Sequence, residues 1–324
     1  MRSIIDTFAA LGDRLENFGK DNTSLEVIRR AKEENSWFGT DDILQAIDAV
    51  RQEFLDREKL LRWASAYTKT APRRVAIIMA GNIPLVGFYD LLCVLMAGHR
   101  ALVKPSSKDK VLTEYITSQL REIDPEIAIE PYSEESDIDM VIATGGDQAA
   151  RHFQSQYNNI PALIRGSRHS VAILSGKESQ SDIEGLSRDV FSYNSLGCRS
   201  ISLIFLPAGC QLSLSTPKTN PMMQGNYAHN KALKTMLGIP FIDLGGYIAV
   251  ESNSFPNEIS QINYCYYNDL EQVKEWLMQH DDELQCVVTS SLDHPRRVDF
   301  GRAQYPTLWD VADGVDVMKF LTQQ

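Results

Sequence analysis

The sequence predicts an α/β fold with parallel strands, preceded by a helical segment. Short apolar runs alternate with stretches of helix length through the body of the chain. The runs are apolar throughout, which is typical of parallel strands covered by helices on both faces. With 324 residues, 43% of them hydrophobic, the chain is long enough for two domains or two interleaved lobes.

Residues 1–70 are predicted to be mostly helical. Apolar residues recur at helical spacing near the start, at Ile4, Ile5, Phe8, Leu11, Leu15 and Phe18. Thr40 has the character of an N-cap, because two aspartates would then occupy the first turn of the next helix. An apolar stripe continues from there to Tyr67, so we expect one long helix that ends before Pro72.

Predicted strands follow, each closed by glycine or proline and separated by helical stretches. The strands are 75–79, 100–104 and 140–143, and the helical stretches are 85–98, 108–122 and 147–154. Later apolar runs predict strands over 170–174, 200–205 and 285–289, with a helix over 269–279. The least regular stretch, 208–226, is rich in serine, threonine, proline and asparagine, and we expect a long loop there.

Composition excludes several classes of function. The net charge of −11 and the lack of Lys/Arg runs argue against nucleic acid as the main partner. No stretch is apolar for the roughly 18 residues that cross a bilayer, so no membrane span is expected. The N-terminus carries acidic residues and lacks a small-residue cleavage site, unlike a signal peptide.

The five cysteines are odd in number, widely spaced and without a CxxC pair. That usage predicts a reducing cytoplasmic location, with neither a disulfide framework nor a zinc site. Cys198, in NSLGCRS, differs from the others because it follows a glycine and precedes a predicted strand. Such a turn exposes a thiol, and Arg199 would favour the thiolate. A buried structural cysteine is the alternative, and the local context alone favours it.

Three further candidates lie at the carboxyl ends of predicted strands, where α/β proteins bind ligands. Asn82, in AGNIP, can donate an amide hydrogen bond to an oxyanion, although a turn asparagine beside glycine is common. Lys104, in KPSS, can pair with a ribose hydroxyl or a phosphate, and an exposed strand-end lysine is the alternative. TGGD at 144–147 admits a phosphate at a helix N-terminus, unless Asp147 is only the N-cap.

Together, strand ends carrying GN, KPS and TGG, followed by a cysteine loop, resemble the aldehyde dehydrogenase superfamily. The most similar run is VAIIMAGNIPLVGFYDLLCVLMAGHRALVKPSS. The resemblance implies a Rossmann-type parallel-sheet cofactor domain and an α/β catalytic domain. It also implies a nucleophile at Cys198 and an oxyanion-stabilising amide at Asn82. The cofactor-binding residues that it implies are Gly81, Lys104, Ser106, Ser107, Thr144, Gly145 and Gly146.

Within that superfamily, the chain resembles the acyl-CoA reductases related to the fatty-acid reductase of bacterial luminescence. The resemblance runs from about residue 24 to 322 through NSWFGTDDILQAI, GNIPLVGFYD, SLGCRSIS and FGRAQYPTLWDVADGVDVMKFL. It implies NAD(P)H-dependent reduction of an acyl-CoA to an aldehyde through a cysteinyl thioester. The implied division is a helical segment 1–70, a nucleotide-binding domain 71–172, a catalytic cysteine domain 173–310, and a tail 311–324 that packs back on the body.

Departures from the superfamily pattern refine this expectation. Oxidising members carry a glutamate that activates water, but residues 163–170 contain no carboxylate, which favours reduction. Ser107 stands where NAD-preferring relatives often have glutamate, so we expect NADPH, with NADH as the alternative. The basic residues of this stretch, Arg165, Arg168 and His169, are interpreted as surface charge. A structural role or contacts to CoA phosphate are the alternatives, and His169 as a general acid is the least favoured of them.

Two other functions remain open, the first because such reductases also lack the glutamate and the second because the chain is short after Cys198. One is an acyl phosphate reductase, as in the glutamyl-phosphate reductases of the same superfamily. Another is a non-catalytic subunit that binds an acyl donor or a partner. An acyl-transferring ligase is the partner that the resemblance suggests, and relatives are usually oligomers, so a homo-oligomer is an expectation as well.

Overall fold

The computed structural model describes residues 3–68, 70–215 and 220–323. The chain folds into two compact units. The first runs to Ser167 and resumes at Tyr305, and the second comprises Arg168–Gln304. Each unit holds strands with helices packed on them, so the predicted α/β fold is confirmed. Among the described residues, no helix combines the length and the apolar composition needed to cross a membrane.

The first unit begins with helices. They are α1 (Ile4–Leu15), α2 (Asn22–Glu34), α3 (Thr40–Phe54) and α4 (Arg57–Ala64). The prediction of one long helix is wrong, because the Asp56 carboxylate accepts a hydrogen bond of 2.7 Å from Lys59 N and starts a new helix. The predicted N-cap at Thr40 is also wrong, since Gly39 is the N-cap and Asp42 accepts from its amide.

A parallel sheet forms the centre of the first unit. Its strands are β1 (Arg74–Ile78), β2 (Arg100–Lys104), β3 (Ile129–Pro131), β4 (Met140–Thr144) and β5 (Ala162–Arg165). Their order in the described chain is β3-β2-β1-β4-β5, and each neighbouring pair is parallel. The connecting helices are α5 (Phe88–Met96), α6 (Lys110–Ile123) and α7 (Asp147–Gln156). All carboxyl strand ends therefore share one edge of the sheet.

The C-terminal residues belong to the core of this unit. The last helix of the described chain is α11 (Val317–Thr322), and its residues Val317, Met318 and Leu321 are buried with α5. The Leu321 carbonyl oxygen lies 3.0 Å from His99 Nε2, and the Tyr89 hydroxyl donates to Leu308 O. These contacts hold the end of the chain on the first sheet.

The second unit is built on a mixed sheet. Its strands are β6 (His169–Ile173), β7 (Ile201–Pro207), β8 (Ile242–Asp243), β9 (Ile248–Glu251), β10 (Gln261–Tyr267), β11 (Leu284–Thr289) and β12 (Arg297–Val298). The order is β12-β11-β6-β7-β10-β9-β8, parallel except for the β8–β9 pair. Its helices are α8 (Gln180–Phe191), α9 (Pro221–Met236) and α10 (Leu270–Gln279).

The predicted long loop over 208–226 is wrong at its end. Helix α9 begins at Pro221, a residue that suits the first turn of a helix because it has no N–H to satisfy. Asn220 caps it by accepting a hydrogen bond of 2.8 Å from Met222 N. Residues 216–219 of the predicted loop lie outside the described residues.

Candidate active site

The loops that follow β1 and β2 meet at the carboxyl edge of the first unit's sheet. The Met79 amide donates a hydrogen bond of 3.0 Å to Lys104 O. A Cβ atom added at Gly81 would lie 2.5 Å from Ser106 Oγ, which is closer than any side chain tolerates. Glycine is therefore required where the two loops touch. The structure thus brings together two of the residues that the resemblance implied for cofactor binding.

The other predicted residues of these loops are accessible. Asn82, Lys104 and Ser107 are exposed, and Ser106 is half-buried. Lys104 Nζ lies 5.8 Å from the centre of the Tyr132 ring, within the range of a cation–π contact. These side chains have the donors that a ribose or a phosphate would need at this edge.

Thr144, Gly145 and Gly146 lead from the end of β4 into helix α7. Gly145 N donates to Arg165 O at 3.1 Å, and a Cβ on Gly145 would lie 2.8 Å from that of Ala149. Asp147 is not the N-cap, because Gly146 holds that position and the Asp147 carboxylate accepts from Ser167 N at 2.8 Å. The N-cap of α7 is thus a glycine, so no capping side chain covers the amides of the first turn. Such an arrangement suits the binding of an anion.

The basic residues at the end of β5 and the start of β6 have structural contacts, so their interpretation as surface charge is wrong. Arg165 is buried, and its Nη1 lies 2.9 and 2.8 Å from the two carboxylate oxygens of Asp90. Arg168 is half-buried and donates to Leu284 O. The His169 ring stacks on Phe255 with centroids 4.2 Å apart.

Cys198 lies in the second unit, in a loop that starts with unusual backbone geometry. After helix α8, Tyr193, Asn194 and Ser195 have φ angles of 55°, 54° and 57°. The left-handed region costs an L residue roughly 1–2 kcal/mol, so three in succession need support. Ser195 supplies part of it, since its hydroxyl donates to Val190 O at 2.6 Å. Strain of this kind concentrates at functional sites.

Hydrogen bonds then fix the backbone around Cys198. Ser200 N donates to Gly197 O at 2.9 Å and closes a turn with Cys198 inside it. The Ser170 hydroxyl, on β6, donates to Cys198 O at 2.8 Å and accepts from Cys286 N at 3.1 Å. One side chain therefore joins the loop to two strands.

A distant segment packs behind the cysteine loop. Arg199 Nε donates to Ala303 O at 2.5 Å, so this guanidinium is directed to a carbonyl. On helix α8, Asp189 accepts hydrogen bonds from Gly301 N at 2.7 Å and Ala303 N at 3.0 Å. Burial raises the pKa of Asp189 to about 7, against the lowering effect of those two amides.

The cysteines differ in their accessibility. Cys198 is half-buried, so the alternative of a buried structural cysteine does not describe it. Cys93 and Cys286 are buried, and burial raises the pKa of the Cys93 thiol well above its usual value. Burial also raises the pKa of Cys265 to about 11. A raised pKa disfavours the reactive thiolate, so neither Cys93 nor Cys265 suits a nucleophile.

Several supporting residues escaped the sequence analysis. Ser170, Ser195, Asp109 and Asp189 each reach a backbone group far away in the fold or across a turn. Only Asp109 carried a signal, because it lies two residues after the KPSS motif and stands where a helix begins. It contacts both the loop that carries Asn82 and the loop that carries Lys104.

A comparison with models of known protein families identifies the family to which this chain belongs. The model of the LuxC family, described as acyl-CoA reductase, matches residues 19–215, more than half of the chain. The chain belongs to the LuxC family. The match includes Asn82, Lys104 and Cys198, and it confirms the resemblance to the acyl-CoA reductases of bacterial luminescence.

Curated relatives carry related names. A long-chain acyl-protein thioester reductase of Aliivibrio fischeri is 25% identical over 162 residues, which are 43% of this chain and 33% of that protein. Long-chain acyl-protein thioester reductase 2 of Photobacterium leiognathi is 23% identical over 183 residues, 49% of this chain and 38% of that protein. The matched stretches thus span little more than a third of the relatives' length.

Solved structures share the fold of this LuxC-family chain. Aldehyde dehydrogenase 21 from Physcomitrella patens, in complex with the reaction product succinate, matches with a TM-score of 0.66, covering 98% of this chain and 83% of its own. An aldehyde dehydrogenase of Mycobacterium tuberculosis, complexed with NAD+, matches with a TM-score of 0.63, covering 95% and 78%. Identities are 11% and 14%, so these comparisons establish the aldehyde-dehydrogenase-like fold alone.

Proposed function

We propose that this chain is a reductase that takes an acyl group from a thioester onto Cys198 and releases it as an aldehyde, using NADPH. The observation that carries the proposal is the setting of Cys198. It is a half-exposed cysteine in a strained loop, held by the Ser170 hydroxyl, within the LuxC-family match. The first unit is proposed to bind the cofactor and the second to carry the nucleophile.

The proposed first step is acyl transfer. Cys198 Sγ forms a bond to the acyl carbonyl carbon, the bond from that carbon to the carrier sulfur breaks, and the carrier leaves as its thiolate. The Cys198 amide and the Asn82 side chain are the proposed donors to the oxyanion, a role that Asn82 takes from the family resemblance. No carboxylate lies between 163 and 170 to activate water, which favours reduction of the enzyme thioester over its hydrolysis.

The residues at the first sheet's edge fit a nicotinamide cofactor. A Cβ added at Gly146 would meet only Ser167 Oγ, at 4.0 Å, so a phosphate has room to approach the first turn of α7. Lys104, Ser106 and Ser107 would hold the adenosine ribose. When bound, the nicotinamide supplies the reducing equivalents. Uncharged Ser107 leaves space for a 2′-phosphate, which favours NADPH, with NADH as the alternative.

The acyl donor has two candidate forms. The family description favours an acyl-CoA, and the names of the curated relatives favour an acyl group on a protein thiol. Both present the same thioester to Cys198 and differ only in the leaving thiol. A protein donor would require a partner that delivers the acyl group, for which an acyl-transferring ligase is the natural class.

Oxidation of NADPH, followed by absorbance, tests the proposal. The donors are acyl-CoAs of graded length, an acylated carrier protein and an acyl phosphate. The variants are Cys198→Ala and, as a control of similar exposure, Cys210→Ala. We expect thioester-dependent oxidation that disappears in Cys198→Ala and persists in Cys210→Ala. Full activity of Cys198→Ala would refute the nucleophile, and turnover with acyl phosphate alone would refute the thioester substrate. NADPH binding without any turnover would favour the binding-subunit alternative.

A further inference from the structure

Asp109 is a buried carboxyl group that does not serve its own helix. It precedes the first residue of α6, where an aspartate usually accepts from an amide of the first turn. No such hydrogen bond forms, and Asp109 Oδ2 instead accepts from Leu85 N at 2.8 Å, across the fold. Asp109 Oδ1 has no hydrogen-bond partner among the described residues. Burial raises the pKa of Asp109 to about 8.

The acceptor bond supports a disfavoured turn. Leu85 has a φ of 57°, in the left-handed region that L residues avoid. It follows Asn82 by three positions, and Leu85 O accepts from Phe88 N at the start of α5. The Asp109 bond therefore holds the turn that leads from the Asn82 loop into the helix.

Asp109 also contacts the second loop. Its amide donates to Ser106 O at 3.1 Å. A Cβ on Gly81 would lie 3.2 Å from Asp109 Cβ and 2.5 Å from Ser106 Oγ. Asp109 thus stands where the loop of Gly81 and Asn82 touches the loop of Lys104 and Ser106.

We propose that Asp109 is a positioning residue, whose carboxyl group sets the Asn82 loop against the Lys104 loop by fixing Leu85 in its left-handed turn. The inference rests on the proposed function, because both loops are there assigned to cofactor and oxyanion binding. A carboxyl group that only filled space would leave the shape of these loops unchanged when replaced by another residue of similar size.

Variants at Asp109 distinguish a positioning role from a role in filling space. Asp109→Asn keeps an oxygen acceptor for Leu85 N, whereas Asp109→Ala removes it. Asp109→Thr is a second test, because threonine keeps a polar side chain at the start of α6 but is too short for the cross-loop bond. The matched control is Asp56→Ala, an N-cap aspartate of the same unit that serves its own helix.

The first measurement is amide hydrogen exchange over residues 80–88 without cofactor. We expect exchange about tenfold faster in Asp109→Ala and Asp109→Thr, and unchanged in Asp109→Asn and Asp56→Ala. Equal exchange in all variants would overturn the positioning role. So would equal acceleration in Asp109→Asn and Asp109→Ala, because the acceptor oxygen would then not matter.

The second measurement is NADPH affinity by fluorescence titration, with kcat and KM for a thioester. We expect affinity and kcat to fall about tenfold in Asp109→Ala and Asp109→Thr and to be rescued in Asp109→Asn. Faster loop exchange with unchanged affinity and kcat would overturn the inference. A wild-type protein that neither binds NADPH nor reduces thioesters would instead refute the proposed function, while the exchange result would still decide whether Asp109 fixes the loop.

Discussion

The Ser170 hydroxyl donates a hydrogen bond of 2.8 Å to the carbonyl oxygen of Cys198. Ser170 is fully buried on β6, and the same hydroxyl accepts from Cys286 N on β11. The position of the cysteine loop therefore depends on a side chain 28 residues away in sequence. A loop held in this way can keep the thiol in place without being part of the sheet.

Replacing Ser170 by alanine should loosen this loop. The change removes one hydrogen-bond partner from Cys198 O and from Cys286 N, both in a buried setting, at a cost of about 1–3 kcal/mol. We expect a lower free energy of unfolding in urea and an altered rate of Cys198 alkylation by iodoacetamide. Ser202→Ala is the control, because the contacts of that hydroxyl are long, at 3.5 Å. Equal stability and alkylation in Ser170→Ala and wild type would contradict the role.

The strands that the sequence predicted correctly are buried on both faces. β2 has the predicted bounds, and β4 begins where predicted. The sequence did not predict β3, β5, β8, β9, β10 or β12, and β3 and β10 illustrate two different physical reasons. β3 is three residues long and ends in proline, and β10 carries buried Gln261 and Asn263, which bond to each other at 2.8 Å. Such polar pairing interrupts the apolar run by which a strand is recognised.

For the candidate site, short motifs indicated the residues that are proposed to meet the ligand but not those that support them. Gly81 and Cys198 stand out through their immediate neighbours in sequence. Ser170 and Asp109 act on residues 28 and 24 positions away, through one hydroxyl and one carboxyl group. Spacing along the chain carries no information on such contacts, because the topology decides which strand ends meet.

The buried pair of Arg165 and Asp90 should behave unlike a surface pair. Arg165→Met strands the Asp90 carboxylate, and breaking a buried pair on one side costs about 3–5 kcal/mol. We expect Asp90→Leu combined with Arg165→Met to recover much of that loss, because neither charge then remains. Urea unfolding of both single variants and the double variant measures this coupling.

The exposed pair of Arg57 and Asp6 is the control for that cycle, with side chains 57% and 40% exposed. Its removal should cost less than about 1 kcal/mol. A double variant of Asp90 and Arg165 whose loss equals the sum of the single losses would show that the two charges do not act as a pair. Asp313, 3.9 Å from Arg165 Nε, would then be the partner to test.

Ser107→Glu should change the choice of nicotinamide cofactor. Ser107 is exposed beside the loop proposed to hold the adenosine ribose, and a carboxylate there would repel a 2′-phosphate. We expect NADPH affinity to fall by about tenfold or more while NADH affinity changes little. Fluorescence titration with both cofactors measures the ratio. Thr68→Glu adds the same charge at another exposed position of the first unit and should leave the ratio unchanged. A parallel loss for both cofactors in Ser107→Glu would argue against contact with the 2′-phosphate.

The buried carboxyl of Asp189 should make stability fall as pH rises. Burial raises its pKa from 3.8 to about 7 in the folded protein. Below the pKa of the unfolded state, Asp189 is protonated in both states, so the free energy of unfolding does not change with pH through this group. Between the unfolded and the folded pKa, the unfolded state has released a proton that the folded state keeps, so the free energy of unfolding declines as pH rises. The decline amounts to a few kcal/mol in all and ends above the folded pKa.

Asp189→Asn tests this dependence because it cannot ionise. Its single oxygen accepts from only one of Gly301 N and Ala303 N, so the variant should be less stable than wild type at acidic pH. The difference should then shrink as pH rises toward neutrality. Asp182→Asn, on the same helix, is the control: hydrogen bonds from Ser179 lower the pKa of Asp182, so its gap to wild type should change only at and below the unfolded value of 3.8 and stay constant as pH rises from there toward neutrality. Urea unfolding across this pH range measures each curve, and a constant gap between Asp189→Asn and wild type would show that Asp189 titrates alike in both states.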